Sequence, residues 1–132
     1  MKLNKIDHIG IAVKDLKAIT EFYLSVFGCK ISEEMDVPDR KLRIAFTDVS
    51  GVKLEFLMGT DKESVISRFI EKKGEGIHHI CLETDDVEKA VSELEEKGVE
   101  LVDQPRMGSE GKKIVFLQPK SMFGVLIELK EK

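Results

Sequence analysis

The stretch His8-Ile9-Gly10-Ile11-Ala12-Val13-Lys14-Asp15-Leu16 returns 71 positions later, altered in detail but not in pattern, as His79-Ile80-Cys81-Leu82-Glu83-Thr84-Asp85-Asp86-Val87. Glu55 and Glu128 lie 73 positions apart, and Ile44-Ala45-Phe46-Thr47 matches Ile114-Val115-Phe116-Leu117 at an offset of 70. A long fixed period is the mark of a duplicated supersecondary unit. Each half therefore contributes one imidazole and one carboxylate. Two of each make a donor set suited to a six-coordinate divalent transition metal with positions left open for substrate. The mixture of hard and borderline ligands argues against a closed structural zinc site.

Residues 7–13, around His8, alternate. Ile9, Ile11 and Val13 fall on one face of a strand, and His8, Gly10 and Ala12 on the other. Asp15 is placed to cap a helix with apolar residues at Leu16, Ile19, Phe22, Tyr23, Val26 and Phe27, and Gly28 supplies its stop. That helix is expected to cover the Ile9, Ile11 and Val13 face. Strands follow over 42–47 and 52–57, joined by a Ser50-Gly51 turn, with Glu55 opposite Leu54 and Phe56. Thr60 and Glu63 suggest a capping box for a connecting helix built on Val65, Ile66, Phe69 and Ile70 and ended by Gly74.

The second half repeats the programme. It reads as a strand over 77–84, a helix capped by Asp85 or Asp86 with Val87, Ala90, Val91 and Leu94 as its apolar stripe, then strands near 99–102, 113–117 and 125–129. Ile80 and Leu82 oppose His79, as Ile127 and Leu129 oppose Glu128. His78 falls on the helix side, in a structural or supporting role. The expected fold is α+β, a single domain over 1–132 made of two βαβββ repeats, about 4–59 and 75–131, joined by a helix at about 61–73. Helices lie on the outer face of a curved mixed sheet, and joining the repeats would bring His8, Glu55, His79 and Glu128 into one concave site.

Composition sets the outer bounds. At 132 residues and 42% apolar, the chain is long enough for one hydrophobic core. A formal net charge of −4 gives no electrostatic case for nucleic acid or an anionic membrane. Residues 1–5 carry two lysines with no apolar core behind them, and no apolar run has membrane-spanning length, so neither a secretory signal nor a membrane span is expected and the cytoplasm is the default. Cys29 and Cys81 lack CxxC spacing and read as free thiols.

At this point the chain resembles a known family. The paired repeats with His8, Glu55, His79 and Glu128 resemble the vicinal oxygen chelate superfamily, which includes the glyoxalases. Ile6-Asp7-His8-Ile9-Gly10-Ile11-Ala12-Val13, Gly74-Glu75-Gly76-Ile77-His78-His79-Ile80 and the run from Phe116-Leu117-Gln118-Pro119-Lys120-Ser121 to Gly124-Val125-Leu126-Ile127-Glu128-Leu129 resemble the methylmalonyl-CoA epimerase family within it. The resemblance covers essentially the whole chain. It implies a divalent metal held by His8, Glu55, His79 and Glu128, Co2+ foremost, with Ni2+, Mn2+, Zn2+ or Mg2+ as alternatives. It further implies methylmalonyl-CoA as substrate, epimerisation at C2 through an enolate, a place in propionate metabolism, and a homodimer.

Inverting C2 requires an acid/base group on each side of the flattened carbon, because one base returning the same proton exchanges without inverting. Glu128 is the first candidate for one role. Some family members carry a glutamate in the strand before Glu55, where this chain has Arg43. The second role therefore falls to Glu55, or else Arg43 grips the substrate carboxylate while another group moves the proton. Arg106, Lys112, Lys113 and Lys120, with Ser121, form a candidate rim for the coenzyme A phosphates. A glyoxalase I-type lyase acting on the glutathione hemithioacetal of methylglyoxal, and a non-catalytic small-molecule-binding module of the same fold, are the alternatives.

Overall fold

The computed structural model describes residues 1–132. In chain order it has β1 (Leu3–Ala12), α1 (Leu16–Phe27), β2 (Met35–Val37), β3 (Leu42–Val49), β4 (Val52–Gly59), α2 (Val65–Lys73), β5 (Gly76–Thr84), α3 (Val87–Glu96), β6 (Arg106–Met107), β7 (Lys113–Leu117) and β8 (Ile127–Glu131). Contacts divide it into two compact units, residues 9–78 and residues 1–8 with 79–132. The first eight residues thus group with the second half of the sequence. Thr84 Oγ1 donates to the Lys2 carbonyl at 3.0 Å, and Asn4 Nδ2 donates to Asp85 at 2.9 Å.

In the unit of residues 9–78 the strand order is β2-β3-β4-β1. Asp15 caps α1 by accepting from the Ala18 N–H at 3.1 Å, and Gly28 closes it in the left-handed conformation. Leu16, Ile19 and Tyr23 pack on Ile11, Val13, Ala45 and Phe56, the face expected for this helix. Phe22, Val26 and Phe27 stay exposed, because the apolar stripe of α1 is wider than the strip of sheet beneath it. The β3–β4 hairpin turns at Ser50 and Gly51, both at positive φ, as a two-residue turn between right-twisted strands requires. Its register sets Phe46 opposite Glu55 and Ala45 opposite Phe56, so Glu55 lies across the strand from the α1 core.

The connecting helix departs from expectation at its start. Ser64, not Thr60, is the cap, accepting from the Ser67 N–H at 3.1 Å, and Glu63 pairs with Lys41 instead of closing a capping box. Residues 60–63 are consumed in turning the chain, with Asp61 Oδ1 accepting from the Glu63 N–H at 2.8 Å. Ile66, Phe69 and Ile70 then pack on Ala12, Leu42, Ile44 and Leu57. A Cβ added to Gly59 would run into the Ser64 and Ser67 hydroxyls. Gly59→Ala is therefore expected to cost about 1–3 kcal/mol by overpacking, read as a lower urea midpoint at unchanged slope.

In the unit of residues 1–8 with 79–132 the order is β1-β5-β8-β7-β6. β5 and β8 pair in parallel and β7 and β8 antiparallel, so the sheet is mixed. Asp86 caps α3, accepting from the Lys89 N–H at 3.0 Å. Val87, Ala90 and Val91 pack on Val115, Leu117, Ile127 and Leu129, with Ile80 and Leu82 at the margin. That packing assigns the odd residues of β7 and β8 and the even residues of β5 to the helix side. His79, Cys81, Phe116, Glu128 and Lys130 are left on the other side by the two-residue period. The strand expected near 99–102 is a single bridge, Leu101 to Leu117, because Pro105 lies just beyond it and pairing resumes only at β6.

Candidate metal centre

His8, His79 and Glu128 come from three adjacent strands of one unit. All are buried, although two are imidazoles and one a carboxylate. Their ends converge. His8 Nε2 lies 3.1 Å from His79 Nε2, and Glu128 Oε2 lies 3.2 Å from the first nitrogen and 3.0 Å from the second. Phe116, opposite Glu128 in register, packs edge-on against the His79 ring at 5.4 Å and fixes its plane.

Behind His8, Asp7 Oδ2 sits 2.8 Å from Nδ1. The carboxylate can only accept, so Nδ1 of a neutral His8 carries the proton and Nε2 presents its lone pair to the centre. Three donor atoms converging at such distances can hold a cation between them. Neighbouring donors on a six-coordinate ion with bonds of roughly 2.1 Å lie about 3.0 Å apart, whereas a tetrahedral arrangement needs about 3.4 Å. The triangle of 3.0, 3.1 and 3.2 Å lies within the range that donors to one metal ion span. These residues fit a divalent metal ion.

The electrostatics agree. Burial alone would push the Glu128 carboxyl up, but the two imidazoles lying within 3.2 Å of it outweigh burial and bring it down to about 2. The His8 hydrogen bond, aided by Lys130, holds Asp7 well below the usual carboxylate range. Burial pushes the Cys81 thiol up to about 12, so Cys81 fills space beside the centre and offers no soft thiolate at neutral pH. Both carboxyls are lowered in the folded state, so the stability they contribute is complete above their ordinary values of 4.5 and 3.8 and is lost as pH falls toward the folded ones. Urea midpoints of the metal-free protein are expected to hold steady above about pH 5 and to fall between about pH 4.5 and 2; a flat profile would contradict the network.

Glu55 belongs to the other unit, half-buried on the β4 face shared with Leu57 and Phe46. Arg43 does not share that face. It pairs in register with Met58, on the α1 side, and its Nε lies 2.8 Å from Asp36 Oδ1. Strand period is the reason: Ile44, not Arg43, falls on the Glu55 side. Of the candidate rim, Arg106 lies over the Phe116 ring at 5.7 Å and so belongs to the His79 side. Lys113 pairs with Glu88 on the α3 side, Lys120 with Glu100, and Lys112 donates to the Lys132 carbonyl. Ser121 Oγ accepts from the Glu100 N–H at 3.0 Å.

Sequence reasoning passed over Asp7 and Lys130. The available signal was a lysine two residues after Glu128, on the same non-helix face of a strand whose other face carries Ile127 and Leu129.

Residues 7–116 match the Glyoxalase/Bleomycin resistance protein/Dioxygenase superfamily. The chain is 36% identical to the mitochondrial methylmalonyl-CoA epimerase of Mus musculus, over 98% of this chain and 74% of that protein. It is 39% identical to that of Dictyostelium discoideum, over 98% and 80%. The chain belongs to the methylmalonyl-CoA epimerase family. A variant of the Streptomyces coelicolor methylmalonyl-CoA epimerase, solved with 2-nitronate-propionyl-CoA, superposes with a TM-score of 0.90 at 37% identity, covering 99% of this chain and 96% of that one. The fold is thus that of the epimerase family and of the glyoxalase-like superfamily around it. No helix is long and apolar enough to cross a membrane.

Proposed function

We propose that this chain interconverts the (R) and (S) forms of methylmalonyl-CoA. The observation that carries the reading is the convergence of His8 Nε2, His79 Nε2 and Glu128 Oε2 within 3.2 Å of one another in a member of the epimerase family. Glu55 completes the ligand set as the matched carboxylate of the first repeat, and the chain acts as one domain of two βαβββ repeats. The ion is divalent, with Co2+ the first choice over Ni2+, Mn2+, Zn2+ and Mg2+. When bound, it supplies positive charge where the thioester oxygen becomes anionic as the neighbouring proton leaves.

The protein's own groups do the rest. His8 and His79, neutral and oriented, act as ligands and hold no mobile proton. Glu128, anionic at neutral pH, takes or returns the C2 proton on one side, and Glu55 serves the other. The register surrounds Glu55 with Phe46 across the strand and with Leu57 and Ile44 on the same face. Arg106 attracts the anionic end of the substrate, with Lys120 and Ser121 as candidate contacts for the coenzyme A phosphates; Lys113, paired with Glu88 on the α3 side, stands on the opposite sheet face and drops out of the rim. A homodimer in the cytoplasm, serving propionate metabolism, completes the reading; the exposed Phe22, Val26 and Phe27 of α1 offer the surface a second copy would cover.

Proton NMR of methylmalonyl-CoA in deuterated water, with the Co2+-loaded protein and a stereospecific mutase to detect the new isomer, tests this. Deuterium entering C2 with inversion is expected. Absence of exchange with metal bound would overturn the reading and direct the same sample to methylglyoxal with glutathione, or to ligand binding alone. Glu55→Gln is expected to retain exchange from one isomer while net inversion falls by roughly 10²–10⁴-fold. Inversion at full rate with metal bound would remove Glu55 from its acid/base role.

A further inference from the structure

Lys130 is a buried lysine on the same face of β8 as Glu128, and the chemistry proposed above gives it no task. Its ammonium lies 3.1 Å from Asp7 Oδ2, the same oxygen that faces His8 Nδ1 at 2.8 Å. The third member is Glu110, which ion-pairs with Lys130 from the tip of the β6–β7 hairpin. That tip is a tight turn, closed by the Gly108 N–H donating to the Lys112 carbonyl at 2.8 Å and by Gly111 at φ 75. The four side chains Glu110, Lys130, Asp7 and His8 form one continuous line into the metal centre, drawn from the hairpin, β8 and β1.

A carboxylate behind a ligating imidazole sets which ring nitrogen carries the proton and how the ring is turned. An isolated buried carboxylate would rotate or take up a proton, and a buried cation with one partner would be poorly compensated. Lys130 answers the first need by fixing the Asp7 oxygen, and Glu110 answers the second by taking the other side of the ammonium. We propose that Lys130, held by Glu110, is a positioning residue for the metal centre, locking Asp7 so that His8 presents its Nε2 lone pair to the ion.

This rests on the reading of His8, His79 and Glu128 as ligands, and the test separates the two. Co2+ is titrated into the metal-free full-length chain, with affinity measured by competition against a chelator and coordination by ligand-field absorption. The wild type is expected to bind, and Lys130→Met to bind about 10–100-fold more weakly with an altered absorption spectrum. Lys130→Arg, which keeps a cationic donor, is expected to recover most of the affinity and the wild-type spectrum. At saturating Co2+, KM for the thioester is expected to stay unchanged in all of them.

Should Lys130→Met fail to fold, the isosteric Asp7→Asn decides, because its amide can donate to Nδ1 and turn the protonated nitrogen of His8 toward the ion; the same 10–100-fold loss is expected. Variants with native circular dichroism that bind Co2+ with wild-type affinity and spectrum would overturn the positioning role while leaving the ligand set intact. A wild-type chain that binds no Co2+ would overturn both.

Discussion

Glutamine in place of Glu128 is expected to cut epimerisation by roughly 10²–10⁴-fold, the range for loss of a general acid or base. The substitution preserves volume, so the core of Ile127 and Leu129 on the other face of β8 is untouched. It removes the anion that lies 3.0 and 3.2 Å from the two imidazole nitrogens, and an amide N–H directed at either lone pair would compete with the ion. Loss of metal affinity should therefore accompany loss of turnover. Measuring Co2+ binding alongside the coupled isomerisation assay distinguishes a lost ligand from a lost base. Wild-type turnover with metal bound would remove Glu128 from both roles.

Phe56→Ala is expected to destabilise the protein by about 3–5 kcal/mol, a large part of the roughly 5–15 kcal/mol available to a domain. Phe56 is fully buried, its ring 4.9 Å from that of Tyr23, with Leu16, Val13 and Ala45 closing around it. Emptying this site leaves a cavity that α1 and the sheet cannot collapse into without breaking the β3–β4 register. Val65→Ala, exposed at the start of α2, is the control, and should fall within about 0.5 kcal/mol of wild type. Urea titration of both variants measures the difference, and a small effect at Phe56 would show that the α1 face is not the true core.

Much of the fold could be read directly because the signals are local. Alternation around His8 and His79, the caps at Asp15 and Asp86, and the stop at Gly28 each depend on a few neighbouring residues, and each is found as expected. The cap of α2 was misread because Thr60 and Glu63 satisfy a pattern that also suits a turn, and Lys41, distant in sequence, claims Glu63. The 99–102 stretch has strand composition, but whether a strand forms depends on what lies beside it. The exposed side of α1 has the same origin: helical spacing reports that Phe22 and Val26 are apolar, not that anything covers them.

Strand period and residue type suffice for the repeated pattern, for the sheet faces of His8, His79, Glu55 and Glu128, and for their donor chemistry. The joining of His8 with His79 and Glu128 in one compact unit, the turn of Arg43 to the helix side with Asp36, and the placement of Lys130 and Glu110 behind Asp7 come from the folded chain. Those facts depend on strand register and on contacts between residues as far apart as Asp7 and Lys130. Register is a property of the folded backbone as a whole, and no local window of sequence contains it.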